Sequence, residues 1–221
     1  MKSTMRIEDI TKRTIACEKQ VLGEITETAL EVYQFIQDEF KNTDVSKNLL
    51  FQFVYCNFYT LDSQKVDALF LKGYFELMES LKGTKNLDIE SLLFQVYAIE
   101  TKRELKFHYS FTSKLAHTLD NNIPIWDTRI AYVFELKLTT VKDNGVNGDN
   151  FRDIIETIQE DYKKIIDENL LYSTLNKFND KFGDYKISDT KKLDFIFWAA
   201  GRVRIHELSK GADKFLEADM D

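Results

Sequence analysis

The chain has 221 residues, 43% of them apolar, with 17 phenylalanines and 10 tyrosines. This apolar content can form a buried core, which excludes an intrinsically disordered chain. The formal net charge of −7 argues against a protein that coats nucleic acid with its whole surface, because such proteins carry a basic footprint. A local basic patch could still bind phosphate.

The cellular setting follows from the cysteines and from the hydropathy of the chain. Cys17 and Cys56 lie in no CxxC or Cys/His cluster, so neither a disulfide scaffold nor a metal site is indicated. Residues 1–14 are charged and lack the apolar core of a signal peptide, and no stretch approaches the length of a membrane span. We expect a soluble cytoplasmic protein with no metal, cofactor or membrane partner.

Apolar residues recur at helical spacing through most of the chain, and one proline and eight glycines leave few helix breakers. This pattern predicts an all-α fold. Residues 45–59 are apolar nearly all round, which predicts a central helix. Asp62 and Ser63 are predicted to cap the helix that follows. The predicted helices, in chain order, cover residues 25–40, 45–59, 66–81, 89–97, 110–119, 128–134, 151–166, 170–182 and a last long stretch after Ser188.

The whole chain, residues 1–221, is predicted to form a single all-α unit with two lobes. The lobes would comprise residues 24–99 and residues 100–208. Residues 142–150 are rich in glycine and asparagine, which predicts a surface loop between the lobes. This loop lacks the terminal glutamate that a calcium-binding loop requires. Residues 209–221 are polar and acidic and are predicted to form a frayed tail.

The most basic run of this acidic chain lies just before and within the predicted helix 110–119. Only Glu104 opposes its charges, so the run could meet the phosphates of a nucleic acid. A solvated charged connector remains the alternative. The cations and histidines of the run are Lys102, Arg103, Lys106, His108, Lys114 and His117.

The stretch from Phe111 to Phe134 gathers a lysine, a carboxylate and the only proline of the chain. Pro124 fixes its own φ and keeps the preceding residue out of the helical region, so Asp127 is well placed to cap a new helix. Backbone N–H groups and the helix dipole would favour the ionised form of that carboxylate. A reaction that builds positive charge nearby requires such an anion.

Residues 113–117 read SKLAH and residues 126–130 read WDTRI. Together they resemble the lysine-plus-aspartate signature of the helix-hairpin-helix DNA glycosylase superfamily, and in particular bacterial proteins with an 8-oxoguanine DNA glycosylase-like fold. The resemblance covers about 25 of the 221 residues. It implies a two-lobed helical DNA-repair hydrolase that acts on double-stranded DNA with a damaged base.

The resemblance also implies roles for individual residues. By position, Lys114 would attack the sugar C1′ of an extruded nucleotide, and Asp127 would stabilise the oxocarbenium-like centre. Arg129 would join the DNA-binding set, which is otherwise Lys102, Arg103, Lys106, His108 and His117. The aromatic residues that could stack on the extruded base are Phe107, Tyr109, Phe111 and Trp126.

Two alternatives to this function stay open. Residues 104–113 contain no glycine, whereas the superfamily places a glycine-rich turn before its lysine to grip a DNA phosphate. A second alignment puts Ser110 in the nucleophile's position, and the protein would then be a non-catalytic nucleic-acid binder with the glycosylase fold. An unrelated helical protein-interaction domain would explain the acidic charge and needs no catalytic site.

Overall fold

The computed structural model describes residues 2–61 and 66–208. This part of the chain contains helices, turns and loops but no strand, which confirms the all-α prediction for the described residues. None of these helices is both long and apolar enough to cross a bilayer. The helices are α1 Lys2–Ala16, α2 Glu18–Glu24, α3 Glu27–Asn42, α4 Leu49–Phe58, α5 Ala68–Ser80, α6 Ile89–Tyr97, α7 Tyr109–Leu119, α8 Thr128–Val133, α9 Asn144–Asp167, α10 Tyr172–Phe182 and α11 Asp189–Val203.

Side-chain caps determine where several helices begin, because a cap oxygen satisfies a backbone N–H that has no partner within the helix. The cap predicted at Asp127 is confirmed, and Asp88 and Ser188 cap α6 and α11 in the same way. The predicted cap of α5, Asp62 and Ser63, lies outside the described residues. Within them, Asp67 accepts a hydrogen bond from the backbone N–H at the start of α5.

The helices pack into two compact units, each assembled from separate stretches of chain. The two lobes predicted at 24–99 and 100–208 were divided by position along the chain. The units are instead defined by which residues contact one another, so the predicted lobes stay a prediction. The tail predicted at 209–221 lies outside the described residues. Within the described residues, the first unit comprises 2–27, 127–137 and 156–208, and the second comprises 28–61, 66–126 and 138–155.

The most deeply buried helix of the second unit is α7, in which every side chain from Phe111 to Thr118 is buried. The prediction that the helix at 45–59 is the central, buried one is wrong. Its counterpart α4 exposes Leu49, Leu50 and Phe53, the last at 67%. The apolar sequence of residues 45–59 favoured α4 as the central helix. Helix α7 can be buried because its hydroxyl groups bond to backbone carbonyls within the helix and at its N-cap.

In the first unit, α8 and α11 approach closely at Gly201. A Cβ at this position would lie 2.7 Å from the carbonyl oxygen of Arg129 and 2.8 Å from its Cβ. Only glycine fits such an approach without a backbone shift. The neighbouring core is aromatic, with the rings of Phe134 and Phe197 in an edge-to-face contact at 4.9 Å. This packing fixes the start of α8, where Asp127 lies.

The loop predicted at 142–150 is wrong for residues 144–150, because α9 begins at Asn144. Two side chains stabilise this start despite the glycines. Asp143 Oδ1 accepts the backbone N–H of Gly145 at 2.9 Å. Asn147 bonds through its side chain to both the N–H and the carbonyl of Val141, each at 2.8 Å. Local capping therefore overrides the low helix propensity of this stretch.

Candidate functional site

Lys114 lies in the middle of α7 and is 7% exposed. Its Nζ donates a hydrogen bond to the carbonyl oxygen of Tyr59 at 2.7 Å and lies 5.9 Å from the ring centroid of Phe111. The carbonyl fixes the position of the amine and uses one of its N–H donors. For the amine to act as a nucleophile, it must be neutral and turn its lone pair toward the substrate.

Buried hydroxyl groups form a polar network beside Lys114. Tyr55 Oη lies 3.3 Å from Tyr74 Oη and 3.2 Å from Thr118 Oγ1. Tyr74 donates to the carbonyl of Phe111 at 2.9 Å, and Thr118 donates to that of Lys114 at 2.8 Å. Burial raises the pKa of both tyrosines, so the phenols stay protonated as donors. The network holds α7 in a fixed position.

The two histidines of the predicted DNA-binding set supply no surface charge. His117 is fully buried, with Nε2 3.2 Å from Tyr33 Oη and Nδ1 2.7 Å from the carbonyl of Ile123. The ring of His108 stacks on that of Phe111 at 5.1 Å. Burial and the nearby Lys106 lower the pKa of His108 to about 4, so this ring is neutral at physiological pH. His117 is a buried hydrogen-bonding group of α7, and the ring of His108 packs at the start of that helix.

Three predicted DNA-binding cations, Lys102, Arg103 and Lys106, are exposed on the segment between α6 and α7. The segment is tied at its start to the N-terminus of α5. Asp67 Oδ2 accepts the backbone N–H of Lys102 at 2.7 Å and the hydroxyl of Thr101 at 2.8 Å. The structure thus brings three of the predicted phosphate-binding residues together on one anchored surface segment.

Ser113 links α7 to the segment that precedes Asp127. Its Oγ donates to the carbonyl of Trp126 at 3.0 Å and accepts the backbone N–H of the same residue at 3.1 Å. Ser110, the alternative nucleophile position, is half-buried, and its carbonyl oxygen also lies 3.0 Å from Ser113 Oγ, as a second acceptor for the same hydroxyl hydrogen. This arrangement orders the chain directly before the carboxylate of the WDTRI motif.

The aromatic residues predicted to stack on a base pack against one another within the second unit. Tyr109 and Trp126 meet edge to face at 6.4 Å, and each also contacts Phe151. Phe107 stacks on Tyr97 at 4.5 Å. These contacts are those of a packed aromatic core. An extruded base would therefore have to displace one of these rings or stack on the outside of the cluster.

In the first unit, Asp127 caps α8 through one oxygen. Oδ1 accepts the backbone N–H of Arg129 at 2.9 Å and that of Ile130 at 3.0 Å, which leaves Oδ2 outside these two bonds. The guanidinium of Arg129 lies 4.1 Å from the ring centroid of Trp198 and is engaged there by a cation–π contact. Lys114 belongs to the second unit and Asp127 to the first.

A buried charged cluster in the first unit was missed by the sequence reasoning. Lys191, Asp194 and Tyr162 are each at most 3% exposed. Lys191 Nζ lies 4.0 Å from Asp194 Oδ2, and Tyr162 donates to Asp194 Oδ1 at 3.0 Å. The available signal was a lysine and an aspartate three residues apart inside the apolar run of α11, which places both on one helix face.

No group of three or more histidine, cysteine, aspartate or glutamate side chains among the described residues could hold a metal ion. A groove of about 530 Å³ in the second unit is lined by residues that include Lys41, Lys82 and Asn121. It contains none of the site residues predicted from the sequence. The groove therefore adds nothing to the predicted site.

No family model matches the chain, and neither a curated protein nor a solved structure matches it. A functional assignment therefore depends on the residues themselves. The two that carry the most chemistry are the buried amine of Lys114 and the helix-capping carboxylate of Asp127.

Proposed function

We propose that the chain is a DNA glycosylase-like protein that removes a damaged base from double-stranded DNA. Lys114 attacks C1′ of an extruded nucleotide, and Asp127 stabilises the positive charge that develops on the sugar. The observation that carries the proposal is the setting of Asp127, whose Oδ1 is fixed by two backbone N–H groups. A carboxylate held in this way needs no reorganisation when positive charge appears beside it.

The chemistry assigns one task to each residue. Lys114 Nζ, after losing a proton, forms a bond to C1′ while the glycosidic bond breaks, and the base leaves with the bonding electrons. Opening of the sugar ring then gives an iminium ion, which borohydride reduces to a stable amine. The nucleotide must first leave the duplex stack, which costs a few kcal/mol.

The exposed cations of the segment before α7 support the DNA-binding part of the proposal. Lys102, Arg103 and Lys106 can each neutralise one phosphate. Three such contacts correspond to a slope of roughly −3 for the logarithm of affinity against the logarithm of salt concentration. Binding should therefore be weak at physiological salt and strong at low salt.

A non-catalytic nucleic-acid binder is the second candidate, favoured by the setting of Lys114. The amine is 7% exposed and donates to the carbonyl of Tyr59, as a structural lysine would. The protein-interaction alternative is favoured by the exposed side chains of Leu49, Leu50 and Phe53 on α4. Neither alternative assigns a reaction to Asp127.

Covalent trapping separates these possibilities. The protein is incubated with duplexes that carry oxidised or deaminated bases in the presence of borohydride, and a protein–DNA adduct is expected. Lys114→Gln should lose the adduct, whereas Lys72→Gln, which alters a 70% exposed lysine of the same unit, should retain it. Thermal melts of both variants report whether they are folded.

Asp127→Asn tests the electrostatic role. Asparagine caps helices as well as aspartate does, so α8 should be preserved. Base release should slow by about two to three orders of magnitude if the lost charge is worth about 3 to 4 kcal/mol. Base release that neither variant changes would rule out Lys114 and Asp127. Intact DNA binding with no adduct on any lesion would favour the non-catalytic candidate.

A further inference from the structure

Helix α4 of the second unit exposes a cluster of large apolar side chains. Leu49 is 76% exposed, Leu50 is 62% exposed and Phe53 is 67% exposed. Leu49 and Leu50 precede Phe53 by four and three residues, so the three side chains lie on one face of the helix and form the α4 patch. Single exposed apolar side chains are common on protein surfaces, whereas a contiguous group of them marks an interaction site.

The side chains of the α4 patch cannot turn into the core, because the opposite face of the helix is already packed. Phe51 and Tyr55 are fully buried there, and each ring contacts that of Phe75 edge to face, at 6.0 and 5.7 Å. The start of the helix is fixed as well. Asn48 Oδ1 accepts the backbone N–H of Phe51 at 3.0 Å, and Gln52 Nε2 donates to two backbone carbonyls of the preceding loop at 2.9 and 3.0 Å. The patch is therefore a preformed apolar surface.

The charges around the α4 patch favour a second copy of this chain as the molecule that covers it. Leu49–Phe58 reads LLFQFVYCNF and contains no charged residue, although 30% of the chain is charged. The charged side chains directly before the helix, Asp44 and Lys47, pair with each other at 2.7 Å. Two copies with a net charge of −7 each repel, so they associate most easily where a contact brings few like charges together. Two α4 helices meet that condition.

The size of the α4 patch also favours a second copy over a different partner. The helix has ten residues and is about 15 Å long, so the patch is smaller than the roughly 800 Å² that each partner of a stable complex buries. A second copy brings the same three side chains, and the contact then removes six large apolar side chains from water. A partner without such a patch would bury only three. The area therefore suits a weak dimer of identical chains.

We propose that the α4 patch is the interface of a symmetric homodimer, in which the α4 helices of two copies pack against each other in antiparallel directions. A two-fold axis through the middle of the patch places Phe53 of each copy against Leu49 and Leu50 of the other. The N-terminus of each α4 then lies beside the C-terminus of the other, which the helix dipoles favour. The dimer is independent of the proposed function.

Sedimentation velocity tests whether the dimer forms. Because the interface is small, a reversible monomer–dimer equilibrium is expected between about 10 µM and about 1 mM protein. Raising the salt concentration should strengthen the dimer, since screening weakens the repulsion between two acidic copies. A chain that sediments as a monomer throughout this range would overturn the proposal. A dimer that weakens as salt is added would also overturn it, because its interface would then be held by opposite charges.

Substitutions test whether the α4 patch is the interface. Phe53→Glu should weaken the dimer by roughly 30-fold or more, because it places two carboxylates among apolar side chains close to the two-fold axis. Tyr172→Glu is the matched control, since it changes a 63% exposed aromatic residue of α10 and should leave the dimer intact. Thermal melts report whether both variants fold, and Leu50→Asn replaces Phe53→Glu if the latter does not. Equal dimerisation of wild type and the folded patch variant would refute the proposal.

Nuclear Overhauser effects test the antiparallel packing directly. In a mixture of ¹³C-labelled and unlabelled protein, isotope-filtered spectra detect only contacts between different copies. The ring of Phe53 should show such contacts with the methyl groups of Leu49 and Leu50, and the same mixture of Phe53→Glu protein should show none between the two α4 helices. A wild-type dimer without contacts from Phe53 to either leucine would use another surface, and the proposal would be wrong.

Discussion

Replacing Lys191 with methionine should change how the stability of the protein depends on pH. The pKa of Lys191 falls from 10.5 to about 8 on folding because the side chain is buried. Between these values the unfolded chain binds a proton that the folded chain does not, so the free energy of unfolding rises with pH. Below about pH 8 both states are protonated and this contribution is constant.

The size of the effect follows from the pH range between the folded pKa of about 8 and pH 10. Each pH unit in this range adds about 1.4 kcal/mol to the free energy of unfolding, so two units add about 2 to 3 kcal/mol. Other groups oppose this trend at high pH, because burial raises the pKa of the Cys17 and Cys56 thiols above the ordinary value of 9.0 and that of Tyr55, Tyr74 and Tyr162 above 10.0. These groups lose their protons first in the unfolded chain, so they lower the free energy of unfolding from about pH 9 upward, equally in wild type and in Lys191→Met.

Urea unfolding at several pH values between about 7 and 10 measures this effect. The difference in free energy of unfolding between wild type and Lys191→Met should shift in favour of wild type by about 2 to 3 kcal/mol from about pH 7 to about pH 10. Lys72→Met, at a 70% exposed position, should follow wild type throughout. Parallel curves for wild type and Lys191→Met would refute the reasoning, because the buried amine would then titrate alike in both states.

Two further predictions concern the basic segment that is proposed to bind DNA and the packing of α11. Reversing the three exposed cations of residues 102–106 should abolish the shift in a gel-retardation assay at low salt, and an unchanged shift would place the DNA footprint elsewhere. Gly201→Ala should lower the free energy of unfolding by about 1 to 3 kcal/mol, because the new Cβ would lie 2.7 Å from a backbone oxygen of Arg129. Gly23→Ala, where a Cβ meets nothing within 4 Å, should not destabilise the fold, and equal losses in the two variants would contradict this account.

Local signals in the sequence predicted the parts of the fold that local interactions determine. Asp127 was expected to cap a helix because Pro124 keeps the segment before it extended. The hydrogen bonds of Asp127 confirm that expectation. The start of α9 was missed because it depends on Asn147, whose side chain reaches back to the backbone of Val141. Composition alone cannot show such a bond.

Burial was harder to predict than helix formation. Lys191 lies in an amphipathic sequence that is compatible with an exposed lysine, yet it is 3% exposed. Its neighbour Asp194 is hydrogen-bonded by Tyr162, which comes from a distant part of the chain. The same limit applies to Phe53, which is exposed although its sequence neighbours are apolar. Which apolar face is covered depends on the packing of elements far apart in the sequence.

Asp67 serves two purposes, since Oδ1 caps α5 and Oδ2 holds the start of the basic segment. These bonds lower the pKa of Asp67 to about 2, so the anchor persists across the physiological range of pH. If the segment binds DNA as proposed, its start is already ordered before a phosphate binds. Because ordering a loop on binding reduces affinity, the affinity of the proposed DNA-binding segment should depend on how firmly α5 is folded as well as on the charge of the segment.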